Sequence, residues 1–359
     1  MIGSPIFLAL KTGTINFQNC TGLNGTAPEF KELTNATINF QNCTGLTEIP
    51  DFTKLQRATG GAYTNNFISF TGCTKISGQA PAFTSLTIAD GGFGYSIKFD
   101  GLTGLTGTPS FPLLELLGGT ITFQGCTGLT GAITFPKLTA GGSIIFQGCE
   151  SLTGTPEFLA LKTCGTINFQ GCTGLNGTAP EFLAFTNGNI NFTNCTGLTS
   201  TPTFPAFVNL TGTITFQGCS DLTDTPNFSK LKTGGTINFQ NCIGLTGLAP
   251  EFTALTNGII SFQGCEKLTG APSFPILTTG SINFQGCTGL NGPAPQFPAF
   301  TTGGTIDFQD CKNLTGAPSF PELTSLNGII NFQNCTELTG IPDFQNCSVQ
   351  RVGGILIIL

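Results

Sequence analysis

An isoleucine, a polar residue and a phenylalanine follow one another at Ile15-Asn16-Phe17, and this apolar–polar–apolar step returns along the whole chain. The pairs are Ile15/Phe17, Ile38/Phe40, Ile68/Phe70, Ile97/Phe99, Ile121/Phe123, Ile144/Phe146, Ile167/Phe169, Ile190/Phe192, Ile214/Phe216, Ile237/Phe239, Ile260/Phe262, Ile282/Phe284, Ile306/Phe308 and Ile330/Phe332. Cys stands three residues after each Phe, with Leu102 as the exception, and Leu three further on, with Ile76 as the exception. A Pro and a second Phe follow, as in Pro156-Glu157-Phe158, with Ile133 standing in once for the Pro. Alternation at a period of two predicts a short strand with Ile and Phe on one face.

Copies spaced mostly 22 to 24 residues apart predict one turn of a coil per copy. Stacked in parallel register, each turn lays Ile on Ile and Phe on Phe, and only the stack buries the apolar side that a lone turn exposes. The expected architecture is a single β-rich solenoid over residues 1–359, of about 14 full turns with partial turns at both ends, one parallel sheet and little helix. "LLELL" at Leu113 to Leu117 is the best helix signal, and a weak one. Gly two residues before the strand Ile (Gly13, Gly119, Gly142, Gly165, Gly212) predicts positive φ or close stacking of turns.

The phrase I-x-F-x-x-C-x-x-L resembles the cysteine-bearing variants of the leucine-rich repeat, and also BspA-like surface repeats. "LNGTAP" at Leu23, "LTGLAP" at Leu245 and "LTGIP" at Leu338 resemble the words that follow in plant-type repeats. The resemblance implies a right-handed, curved or twisted solenoid that binds other macromolecules; it names no ligand. Departures are the missing Leu three before the strand Ile, where Thr12, Asn35, Cys164 and Gly234 stand, and the lack of a cysteine-cluster cap. A parallel β-helix is the alternative fold, with the second Phe segment as a further strand.

Outward neighbours of the Ile and Phe read Thr14, Asn16, Gln18, then Thr120, Thr122, Gln124, and likewise through Gln170 and Gln240, with Gln in the last slot of eleven of fourteen turns. This uncharged grid is expected to hydrogen-bond along the stack as amide ladders do, or to dock a partner protein, a glycan or another copy; ice binding is a lesser alternative. Two consecutive repeats carry long inserts, at 56–66 and 87–96, holding Arg57, Tyr63, Asp90 and Tyr95. Those residue types suit a binding site on loops held side by side.

Only 9% of the residues are charged, the net charge is −6, and Lys and Arg total 13. That disfavours nucleic acid, which clustered basic side chains grip, and no apolar run reaches the ~20 residues of a membrane span. His is absent, so Ser-His and Cys-His catalysis has no base. The acids Glu29, Glu157, Glu181 and Glu251 recur one per turn at the same position, a poor source of two carboxylates facing across a cleft. No enzyme, cofactor or metal site is expected. Thirteen of the fifteen Cys fall at one repeat position without a C-x-x-C pair, which predicts a buried thiol ladder rather than zinc or disulfides.

Asn-x-Ser/Thr sequons include Asn24, Asn176, Asn209 and Asn313, which glycosylation would use if the chain is extracellular or displayed at the cell surface. The chain opens in mid-repeat and closes on "GILIIL", which resembles a further strand with Ile355, Ile357 and Leu359 as an assembly edge. The functional expectation is a non-enzymatic structural or assembly module, with end-to-end filament growth as one form of it. The alternative is a surface receptor or adhesin that recognises protein or glycan.

Overall fold

The computed structural model of the chain describes residues 5–57, 67–89, 96–154, 156–177, 180–225, 227–340, 342 and 344, and the backbone of 356–357. Two compact units result, Met1–Phe185 and Thr186–Leu359. Turns are numbered here by their Ile-x-Phe pair, from turn 1 at Ile15 to turn 14 at Ile330.

In the first unit the strands Thr12–Asn16, Asn35–Asn39, Phe67–Ser69, Ser96–Lys98, Leu116–Thr122, Ala140–Ile145 and Thr163–Asn168 form a parallel sheet in chain order. The register is Ile on Ile at every step, from Ile15↔Ile38 to Ile144↔Ile167. In the second unit Asn187–Asn191, Thr213–Thr215, Thr233–Asn238, Asn257–Ser261, Ser281–Asn283, Ile306–Asp307 and Ile330–Asn331 do the same, from Ile190↔Ile214 to Ile306↔Ile330. Leu356–Ile357 pairs in parallel with Ile330–Asn331, as "GILIIL" suggested. Hydrogen bonding runs on past each strand: Phe17 N–H donates to Asn39 O at 2.7 Å and Asn19 N–H to Gln41 O at 2.8 Å.

Both Phe columns face inward. The strand Phe rings stack turn on turn, with centroids 5.2 Å apart for Phe123–Phe146 and 5.5 Å for Phe146–Phe169. The second column does likewise, as in Phe83–Phe111 at 5.0 Å and Phe297–Phe320 at 4.9 Å. Each such side chain, fully buried, contributes roughly 1.5–3 kcal/mol of transfer free energy, and these rings with Ile, Leu and Cys make the core.

The solenoid is parallel and contains no helix among the described residues, hence none long and apolar enough to cross a membrane. Leu113–Leu117 is not helical. Leu114 and Leu117 are buried where the repeat needs apolar residues, and Leu116 and Leu117 begin a strand, so stacking overrides local propensity. The expectation of a single sheet needs amendment. Short side ladders add to it: Ser77–Gln79 with Gly104–Thr106 in the first unit, Asn291–Pro293 with Asn313–Thr315 and Thr302–Gly303 with Ser325–Leu326 in the second. The second Phe segment contributes only isolated bridges such as Thr134↔Glu157 and Glu251↔Ser273. The Pro ahead of it lacks an N–H and cannot extend a ladder.

One backbone feature recurs in all fourteen turns. The residue before the Cys slot has φ between 60° and 79°, and it is Gly, Asn or Asp in every copy. Only these types take the left-handed conformation at little cost. It turns the chain sharply enough for the Cys side chain to face the core. Close stacking also explains the Gly before the strand: a Cβ on Gly142 would strike the carbonyl oxygen of Gly119.

Candidate interaction face

The outward side of the strands carries two parallel rows, the residue after each Ile and the residue after each Phe. Asn in the first row caps its own turn. Asn39 Oδ1 accepts from Gln41 N–H at 3.0 Å, Asn168 Oδ1 from Gln170 N–H at 2.9 Å and Asn238 Oδ1 from Gln240 N–H at 2.9 Å. Its amide nitrogen then reaches the Gln of the preceding turn: Asn39 Nδ2 donates to Gln18 Oε1 at 3.4 Å, Asn168 to Gln147 at 3.3 Å and Asn331 to Gln309 at 3.2 Å. Gln joins Gln as well, Gln18 Nε2 donating to Gln41 Oε1 at 3.3 Å and Gln263 to Gln285 at 2.8 Å. Asn16 of turn 1 is exposed, and its Oδ1 accepts from Gln18 N–H at 3.1 Å.

Of the residues proposed from sequence, Asn16, Gln18 and Gln124 are exposed on this face, and Gln170 and Gln240 are half-buried in it. Asn16 lies in the first row and the four Gln in the second; among them the Gln18 amide bonds the next turn, accepting from Asn39 and donating to Gln41. Arg57 is exposed at the stem of the first insert, its backbone bridging Asn35 and Ile88. Tyr63, Tyr95, Asp90, Ile355 and Leu359 lie outside the described residues, and of Ile357 only the backbone is described. The insert stems are neighbours: Arg57 pairs with Ile88 and Phe67 with Ser96. Asn24, Asn176, Asn209 and Asn313 are all exposed; Asn209 Oδ1 accepts from Thr233 Oγ1 at 2.9 Å and Asn313 Nδ2 donates to Thr288 O at 3.0 Å.

Turns 3 and 4 depart from the amide rule, and sequence reasoning passed over them. At the two positions where seven turns carry Asn and eleven carry Gln, turn 3 has Ser69 and Thr71, and turn 4 has Lys98 and Asp100. The signal was there, since Thr71 and Asp100 are two of the three failures of Gln in its slot. Asp100 Oδ1 replaces the missing amide, accepting from Gln124 N–H at 3.0 Å and from Thr122 Oγ1. Lys98 is half-buried and makes no ion pair among the described residues. Thr71 Oγ1 is buried without a hydrogen-bond partner among the described residues. Elsewhere in the first unit, a groove of about 540 Å³ beside Pro28 and Pro50 is lined by the acids Glu29, Glu32, Glu48 and Asp51 and by Lys31 and Lys54. There Lys31 pairs with Glu29 at 3.4 Å and Lys54 with Glu32 at 3.2 Å.

Beneath the face runs the thiol ladder. Twelve of its Cys are buried and Cys20 of turn 1 is half-buried; no disulfide forms among the described residues. Burial is the main cause that pushes the thiols of Cys73, Cys126, Cys172 and Cys242 up to about 12, from an ordinary 9.0. A protonated, shielded thiol is a poor nucleophile and a poor metal ligand. No group of three or more Cys, Asp or Glu among the described residues is placed to hold a metal ion.

A crystal structure of a leucine-rich-repeat protein from Bacteroides ovatus ATCC 8483 superposes with a TM-score of 0.50 at 19% identity, covering 93% of this chain and 87% of its own. The chain has the fold of a leucine-rich-repeat protein. A leucine-rich cell-surface protein from Faecalibacterium prausnitzii A2-165 aligns over 95% of this chain and 89% of its own, at 17% identity with a TM-score of 0.32. No family model and no curated protein matches the sequence.

Proposed function

We propose that this chain is a non-enzymatic scaffold of the extracellular or cell-surface kind, a structural or assembly module that works by contact. The observation that carries the reading is the amide network of the sheet face: at four steps an Asn donates to the Gln of the preceding turn. A surface so occupied favours stiffness and repetition over tight capture of one ligand, because new contacts must replace bonds already made. The recurring Glu29, Glu157, Glu181 and Glu251 are exposed, as solvated rim charges would be. Exposure of Asn24, Asn176, Asn209 and Asn313 suits a glycosylated, displayed protein. Electron microscopy of the purified full chain across a concentration series tests the assembly reading. Ordered polymers or arrays are expected; a chain that stays monodisperse and monomeric at high concentration counts against it.

A second reading, a recognition protein or adhesin for protein or glycan, is favoured by turns 3 and 4. There the amide pattern gives way to Ser69, Thr71, Lys98 and Asp100, beside the paired insert stems.

A further inference from the structure

Turns 1 and 2 stack along the strand, with the Phe17 and Phe40 ring centroids 5.2 Å apart, but they part along the Pro-x-Phe segment. Phe30 stacks on Phe7 at 5.4 Å and Phe52 on Phe83 at 5.1 Å. Among the described residues no ring contact joins Phe30 to Phe52, and no backbone hydrogen bond joins Glu29-Phe30 to Asp51-Phe52. Elsewhere this segment is tied across turns, as Phe135 N–H is to Glu157 O at 3.0 Å. Bonds on either side bracket the gap: Thr47 N–H donates to Gly25 O at 2.9 Å before it, and Gln56 N–H to Thr34 O at 3.0 Å after it. The groove of about 540 Å³ beside Pro28 and Pro50 lies here, off the outward rows of the sheet. Ligand sites commonly enclose roughly 300–1,000 Å³.

Its lining is apolar beneath and acidic above. Pro28, Phe30 and Pro50 are buried in it, and Ile49 is half-buried. Lys31 and Lys54 engage Glu29 and Glu32 in exposed pairs, which are weak and readily rearranged. Two acids remain over, both exposed. Glu48 makes no ion pair or side-chain hydrogen bond among the described residues, and Asp51 Oδ1 accepts from Thr53 N–H of its own turn at 2.8 Å. The carboxylates are spread out: no group of three or more acids among the described residues is placed to hold a metal ion. Separated carboxylates beside apolar surface match cations carried on aliphatic stems, as arginine and lysine side chains carry them.

We propose that this groove docks an extended basic segment of a partner protein, whose arginine or lysine side chains lay their stems against Pro28 and Pro50 and bring their charged ends to Glu48 and Asp51. The proposal rests on the recognition reading, and names for it a partner class and a place away from turns 3 and 4. Charge complementarity selects the occupant: the four acids of the groove exceed its two lysines, and the surplus carboxylates face solvent.

The test is calorimetry on the full chain at low salt, with an acetylated and amidated Arg-Ala alternating hexapeptide as probe and its citrulline analogue as the neutral match. The arginine peptide is expected to bind and the citrulline peptide to bind about tenfold or more weakly, as for loss of charge-assisted hydrogen bonds. E48Q/D51N should lose a similar factor; Asp51→Asn keeps an acceptor for Thr53 N–H, so the variant should fold. E157Q/E181Q removes the same charge from exposed positions outside the groove and should bind within about twofold of the parent. The proposal is overturned if the arginine peptide does not bind, if the citrulline peptide binds equally, or if folded E48Q/D51N binds like the parent. Equal losses in E48Q/D51N and E157Q/E181Q overturn it too, since attraction to net charge alone would explain them. A protein or glycan bound undiminished by E48Q/D51N would sink this site and leave the recognition reading standing.

Discussion

Cys172 Sγ donates a hydrogen bond to the carbonyl oxygen of Phe146, 2.9 Å away in the preceding turn. The contact repeats through both units, from Cys43 on Phe17 to Cys335 on Phe308. Each such oxygen also accepts a backbone bond, as Phe146 O does from Cys149 N–H at 3.1 Å. The thiol is therefore the second donor to a group already satisfied, and its loss orphans nothing. Turn 4 shows the same economy: with Leu102 in the slot, Phe70 O keeps the N–H of Cys73. Cys172→Ala should thus cost about 1–2 kcal/mol, one modest hydrogen bond plus a small cavity. A urea melt checks this; a loss above about 4 kcal/mol would show that the thiol holds more than its own turn.

Buried thiols also set a chemical boundary. The ladder thiols of Cys126, Cys172 and Cys242 titrate at about 12 because burial disfavours the thiolate. In the unfolded chain they titrate near 9.0, so the unfolded state releases protons first as pH rises. Stability from these groups is full below pH 9 and declines between about 9 and 12. At pH 8 a maleimide should label Cys20 and Cys164, the two half-buried thiols among the described residues, before any buried ladder Cys. Peptide mapping of the labelled sites decides the matter, and fast labelling of Cys172 in the native chain would contradict the packing.

Much of the fold was legible because every interior turn has the same neighbours. Ile15, Phe17, Cys43 and Leu46 repeat for a reason that needs no knowledge of distant contacts. The inserts were legible as interruptions of that period, but not their stems: the pairing of Arg57 with Ile88 depends on where each strand resumes. The amide row was expected to hydrogen-bond along the stack, but its pattern was not legible: Asn168 Oδ1 accepts from Gln170 N–H in its own turn while its amide nitrogen reaches Gln147 in the one before, a geometry that a one-dimensional pattern does not contain. Lys98 and Asp100 were visible as letters. Their neighbours appear only from the register, which puts Lys98 between Ser69 and Thr122. The left-handed position was visible too, as Gly, Asn or Asp before every Cys slot, but those residue types also serve turns in general and do not by themselves give the sign of φ.

That position yields a prediction with little steric ambiguity. Gly171 has φ of 73°, and a Cβ there would meet only Gly148 backbone atoms, at 3.9 Å or beyond. Space is available, so the cost of a side chain is conformational. Gly171→Ala should lose about 1–2 kcal/mol, and Gly171→Asn less, since Asn holds this conformation in Asn19, Asn42, Asn194, Asn241 and Asn334. Chemical denaturation of the two variants side by side gives the ranking. Equal losses would mean that crowding, not backbone preference, selects the residue.

Asp307 supplies the last test. It occupies the slot where the adjoining turns carry Asn283 and Asn331, and the half-buried carboxyl is pushed above its ordinary 3.8 chiefly by desolvation. Hydrogen bonds from Gln309 N–H and Asn331 pull the other way, and Asp310 nearby adds repulsion. A raised carboxyl makes the folded state hold its proton longer than the unfolded state does. Stability from this residue is therefore greatest below about 3.8 and falls as pH climbs through the raised value. Asp307→Asn keeps an acceptor for Gln309 N–H and carries no charge, so it should stabilise the second unit at pH 7. The gain should shrink as pH drops into the carboxylate range. Thermal unfolding of parent and variant at pH 7 and pH 3.5 reads both halves of the claim. A variant less stable than the parent at pH 7 would mean that the charge is wanted where it is, and that a cationic partner belongs on this turn.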